Sequence, residues 1–133
     1  MLKLYVPEPG SADFTRVIQG RDDLIVSGLV MTEIASVLSR RVRQRVLTSG
    51  AAHRIHQTIL SSLEAAPYLR VELSPETHRR AEHLLLTLSA TPLRAADALH
   101  LALALSARAA SMATFDTRLA AAARAVGLTV YPS

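Results

Sequence analysis

Two rhythms of apolar and polar residues alternate along this chain. Leu24-Ile25-Val26 is a continuous apolar run, which predicts a strand covered on both faces. Ile34, Val37, Leu38 and Val42 then recur at helical spacing in a helix beginning near Val30 and ending in the basic run Arg40, Arg41, Arg43 and Arg45. A second helix is predicted from Ala51 to Ala65, with Ile55, Ile59, Leu60 and Leu63 on its apolar stripe and Pro67 closing it. Leu69 to Leu73 alternates and reads as a half-exposed strand at a sheet edge. Ser74 is placed to cap a helix with Pro75 in its first turn and Thr77 to Leu88 as its body.

The most apolar element is predicted between Pro92 and Ala109, where Ala95, Ala98, Leu99, Leu101, Ala102, Leu103 and Leu105 leave almost no polar face. A strand from Ser111 to Phe115, a helix from Thr117 to Val126 with Gly127 as its C-cap, and a strand from Leu128 to Tyr131 complete the chain. At the start, Leu2 to Val6 is short and apolar before Pro7-Glu8-Pro9-Gly10 breaks any regular element. Ser11 is predicted to cap a short helix through Gln19, with Phe14, Val17 and Ile18 on one face and Gly20 ending it. This alternation implies an α/β fold with a small parallel sheet and helices on its faces, in one domain over residues 1–133.

Composition narrows the chemistry. Half of the 133 residues are hydrophobic but only 4% are aromatic, so the core must be built from Leu, Ala, Val and Ile. With no cysteine, disulfides and Cys-containing zinc sites are excluded. No apolar run is long enough to span a bilayer and the amino terminus has no signal-peptide pattern, so a cytoplasmic location is expected. The net charge of +4 comes almost wholly from arginine, whose planar fork suits phosphate. There is no Gly-rich phosphate loop and no nucleophile elbow.

Three acids stand out. Asp97 falls early in the very apolar helix, Asp116 directly follows the strand ending at Phe115, and Glu33 lies in the first turns after the strand Leu24–Val26. In a parallel α/β sheet ligands gather at the carboxyl ends of the strands, so these acids can converge into an oxygen-only cluster suited to Mg²⁺ or Mn²⁺. Each also has an ordinary reading: Glu33 as a helix-dipole partner, Asp97 paired with Arg94, Asp116 as an N-cap. His53 and His56 are one turn apart without further ligands, and His78 and His83 read as surface positions. His100, three residues after Asp97, is either a satisfied core histidine or a hydrogen-bond partner of Asp97. The run Arg40 to Arg45 is a solvated helix end or a nucleic-acid contact.

Four stretches, KLYVPEPGSADF, VMTEIASVLSRR, LRAADALHLALA and ATFDTRLAAAARAVGL, together resemble the PIN-domain family, and within it the VapC-like toxins of bacterial toxin–antitoxin pairs. The resemblance implies a three-layer α/β/α fold and a Mg²⁺- or Mn²⁺-dependent ribonuclease. Glu33, Asp97 and Asp116 would be its catalytic, metal-binding acids, with Thr114 as the small polar residue two positions before the last. It implies an RNA substrate, a small cognate antitoxin and a homodimer. It also implies that a first strand bearing a further ligating Asp should precede LKLYVPEPGS. The expectation is therefore an N-terminally truncated chain, through a misplaced start at Met1 or as a remnant. The strands at Leu24–Val26 and Ser111–Phe115 would then have unpaired edges or be forced together, and the site would be one acid short. The alternatives are a non-catalytic protein-binding module and a basic nucleic-acid-binding domain.

Overall fold

The computed structural model describes residues 3–8, 20–65 and 68–132. The short helix expected between Ser11 and Gln19 lies outside them. Five strands form one sheet: β1 (Leu4–Tyr5), β2 (Leu24–Ser27), β3 (Tyr68–Val71), β4 (Ser111–Ala113) and β5 (Thr129–Tyr131). Every pairing is parallel and the order is β3-β2-β1-β4-β5. The helices among the described residues are α1 (Leu29–Arg43), α2 (Ser49–Glu64), α3 (Pro75–Thr87), α4 (Ala95–Ser106) and α5 (Thr117–Ala125).

Successive residues of the central strands feed opposite layers. Tyr5, Ile25, Met112 and Val130 join the core built with α3, α4 and α5. Leu4, Val6, Leu24 and Ala113 pack on the other side, where Val26 meets Val30 and Met31 of α1 and Leu63 of α2. This is why the predicted strand Leu24–Val26 has no polar position: both faces are covered. α4 is buried along Ala98, His100, Leu101, Ala102, Leu103 and Ala104, as its apolar sequence requires. A fully buried leucine such as Leu101 contributes about 1.5–3 kcal/mol. β3 lies at the sheet edge, as its alternation predicts.

The expected gap in the middle of the sheet is filled. β1 takes the central place, with Leu4 opposite both Leu24 of β2 and Ser111 of β4. The Leu4 and Val6 N–H groups donate to the Asp23 and Ile25 carbonyls at 2.9 and 2.8 Å, and the Ala110 N–H donates to the Lys3 carbonyl at 3.0 Å. Neither β2 nor β4 therefore has an unpaired inner edge, and the two are not forced together. The physical reason is that a slot between two apolar strands exposes backbone groups that must find partners. The segment Leu4-Tyr5-Val6 supplies those partners and is itself fully buried.

Helix ends follow their sequence signals. Ser74 Oγ accepts the Thr77 N–H at 3.2 Å with Pro75 in the first turn. Gly127, at φ +93°, turns the chain out of α5 while the Leu128 N–H closes on the Ala123 carbonyl at 3.0 Å. The α4 helix starts at Ala95, later than expected, because the Leu93 N–H turns back to the Thr91 carbonyl at 2.8 Å around Pro92 and Arg94 is extended as the cap.

Candidate active site

All five strands run parallel, so their carboxyl ends share one rim, and the acids singled out in the sequence lie along it. Thr114 directly follows β4 and is buried. Its hydroxyl accepts the Asp116 N–H at 3.1 Å and donates to Glu8 Oε1 at 2.9 Å. Asp116 is the N-cap of α5: its Oδ1 accepts the Arg118 and Leu119 N–H groups at 2.9 and 3.1 Å. The capping role and a place on the rim thus coexist in one residue, with Oδ2 outside the cap.

Asp97 is the third residue of α4 and is half-buried rather than enclosed. It does not form the ion pair with Arg94 considered from the sequence; its Oδ2 accepts the Arg94 backbone N–H at 3.3 Å. Glu33 lies beyond the first turn of α1, so it is not a helix-dipole partner. Its Oε1 accepts a hydrogen bond from His100 Nε2. Of the two readings of His100, the satisfied core histidine is the one observed: it is buried, both ring nitrogens are bonded, and it reaches Glu33 on a different helix rather than Asp97.

Glu8 is the residue that the sequence reading missed. It stands three residues beyond β1 on the same rim, and its only signal was an acid closely following a short apolar run. With the central strand taken as absent, that signal had no strand end to attach to.

The electrostatics join these groups. Burial is the first cause raising the Asp97 carboxyl above its ordinary range; the Arg94 N–H opposes it, and the charges of Asp116 and Glu33 push it further up. Burial likewise raises Glu8, against the Thr114 hydrogen bond, and again Asp116 and Glu33 add to the rise while His100 opposes it. The charges of Asp116 and Glu33 thus bear on both Glu8 and Asp97, and among the described residues none of the four is ion-paired with a Lys or Arg. As the side chains stand, no three or more His, Asp or Glu residues among those described are arranged to hold an ion. The fit to a divalent cation lies in the donor chemistry: carboxylate oxygens, mutually repelling and not ion-paired to Lys or Arg among the described residues.

A cavity of about 370 Å³ opens beside Asp97 and Asp116, bounded also by Arg94, Phe115, Thr117 and Arg118. It sets two guanidinium groups and a phenyl ring against two acids. Two other histidines are bonded within their own helices: His53 Nδ1 to the Ser49 carbonyl at 2.9 Å, and His83 to the Thr87 hydroxyl at 3.3 Å. Among the described residues no helix is long and apolar enough to cross a membrane.

The profile of the PIN domain matches residues 1–125. No curated protein matches the chain. Among solved structures it is similar to VapC20 of Mycobacterium tuberculosis, described as a sarcin–ricin-loop-cleaving toxin, with a TM-score of 0.69, 15% identity, and 90% of this chain and 95% of that one covered. PAE2754 of Pyrobaculum aerophilum gives a TM-score of 0.65 at 20% identity over 97% and 83% of the two chains. FitAcB of Neisseria gonorrhoeae gives 0.60 at 13% identity over 96% of both.

Proposed function

Because the chain belongs to the PIN domain family, we propose that it is a metal-dependent endoribonuclease of the VapC-like toxin type, cleaving RNA phosphodiesters under the control of a cognate antitoxin. The observation that carries this reading is the set of Glu8, Glu33, Asp97 and Asp116 along one rim of the sheet, with the charges of Asp116 and Glu33 acting on both Glu8 and Asp97, and with none of the four ion-paired to a Lys or Arg among the described residues. Asp97, Asp116 and Glu33 would hold Mg²⁺ or Mn²⁺, with Glu8 as the fourth acid. When bound, such an ion offsets the charge of the scissile phosphate and makes water a nucleophile at neutral pH.

The protein's own groups have separate tasks. Thr114 fixes Glu8 and the backbone of Asp116 relative to each other through its two hydrogen bonds. Arg94 and Arg118, at the cavity wall, are placed to take phosphates on either side of the cleaved bond, and Phe115 offers a half-exposed ring to a base. The α1–α2 pair leaves Val37, Val46 and Ile55 exposed, apolar surface that an antitoxin or a second subunit of a homodimer would cover. The protein would act in the cytoplasm, where its RNA is.

The test is cleavage of RNA by the wild-type protein with Mg²⁺ or Mn²⁺ and with EDTA, beside Asp97→Asn. Metal-dependent cleavage lost in the variant supports the reading. Equal cleavage by both proteins, or none by either under any metal, would overturn it.

A further inference from the structure

A buried polar chain runs from the centre of the sheet to the rim. His100 is 2% exposed and bonds on both sides of its ring: Nδ1 to the Tyr5 hydroxyl at 2.7 Å, and Nε2 to Glu33 Oε1. Tyr5 is fully buried on the central strand and is hydrogen-bonded in turn by the Ser27 hydroxyl at the end of β2. Ser27 Oγ accepts the Leu29 N–H at 3.0 Å, at the start of the helix that carries Glu33.

The direction of the bonds follows from the groups. The carboxylate of Glu33 accepts, so Nε2 carries the proton. Nδ1 is then an acceptor, and the Tyr5 hydroxyl donates to it. Ser27 therefore donates to Tyr5, Tyr5 to His100, and His100 to Glu33, one consistent direction along the chain. No buried side-chain polar atom among the described residues is left without a partner.

We propose that His100 is a positioning residue for Glu33: locked by Tyr5 in the Nε2–H tautomer, it holds one carboxylate oxygen of Glu33 and leaves the other for the divalent cation. A carboxylate on a helix surface samples several rotamers, and ordering it takes a partner that is itself immobile. Glu33 is only partly covered, its side chain 39% exposed, so its own packing does not fix it. His100, in contrast, is enclosed by the core and tethered at its far nitrogen. The inference rests on the reading of Glu33 as a metal-facing acid, and it adds a residue from the hydrophobic core to the determinants of that site.

The test uses Mn²⁺ as the probe. Mn²⁺ affinity, measured by electron paramagnetic resonance, and thermal unfolding in EDTA are compared for wild type, His100→Leu and His100→Gln. His100→Leu keeps an apolar filling and removes the donor; it is expected to weaken Mn²⁺ binding by about 10–100-fold. His100→Gln, whose amide N–H can still donate to Glu33, is expected to recover most of that loss. A folded His100→Leu that binds Mn²⁺ as tightly as wild type overturns the proposal while the ribonuclease reading stands. If His100→Leu does not fold, the decision passes to Tyr5→Phe, which removes the donor that holds the ring at Nδ1: a folded Tyr5→Phe with unchanged Mn²⁺ affinity overturns it. A wild-type protein that binds no Mn²⁺ removes the parent reading and this one together. In the metal-free wild type, the ring nitrogen chemical shifts of His100 must report the Nε2–H tautomer; the opposite tautomer contradicts the mechanism directly.

Discussion

Asp97 is held half-buried at the head of an apolar helix by a single backbone N–H, with burial and the charges of Asp116 and Glu33 all disfavouring its ionised form. An acid kept in that position works against stability unless a cation offsets it. Asp97→Asn preserves the shape and still accepts the Arg94 N–H, but removes the charge. RNA cleavage is expected to fall at least about 100-fold, the scale on which loss of a preorganised charge-stabilising group acts. In EDTA the variant should melt no lower than wild type, since repulsion within the cluster is relieved. With Mn²⁺ added, wild type should gain thermal stability by mass action and the variant much less. Differential scanning calorimetry in the two buffers checks both halves. Asp97 was legible in the sequence because its neighbours are so apolar. Glu8 was not, because its meaning depends wholly on which strand precedes it.

At the scale of elements, Asp116 caps α5, and substitution can separate that from the metal-binding role proposed for it. Asp116→Asn retains a side-chain oxygen for the Arg118 and Leu119 N–H groups and should leave the melting temperature nearly unchanged while abolishing metal-dependent cleavage. Asp116→Ala removes the cap as well and should lower stability by about 1 kcal/mol, measurable by urea unfolding. At the other end of α5, Gly127→Ala places a side chain at φ +93° and is expected to lose about 1 kcal/mol without touching the site. Caps of this kind are local, so Ser74, Asp116 and Gly127 could be read from the chain alone. The helix α4 and the buried strand β2 were legible for a similar reason: their patterns span whole elements. β1 was not. Two residues carry no period, and its place between β2 and β4 is decided by the unpaired edges of strands more than a dozen residues away. The link from His100 to Glu33 escaped for the same cause, as it joins α4 to α1 across the sheet's rim and not along one helix.

For the molecule as a whole, the middle of the sheet sets the response to alkali. Tyr5 is fully buried at the central position, and burial, with a smaller contribution from the Glu33 charge, pushes its hydroxyl far above the ordinary phenol range against the Ser27 hydrogen bond. Ionising it requires opening the strand on which β2 and β4 both depend. The sign follows from linkage. A group whose folded-state pKa is raised contributes stability that is complete below its unfolded value, about 10 for tyrosine, and is lost as pH climbs towards the folded value. Above that pH, wild type should lose up to about 1.4 kcal/mol per pH unit through this residue. Tyr5→Phe lacks the titration but leaves His100 Nδ1 without its donor, so at neutral pH it should be less stable by about 1–3 kcal/mol. The two stabilities are therefore expected to converge as pH rises from 10 to 11, a comparison that urea melts at pH 7, 10 and 11 can make. Tyr68, also raised by burial, is common to both proteins and does not affect the difference. Parallel stability curves across that range would mean that Tyr5 ionises in the folded sheet, which its enclosure at the centre forbids.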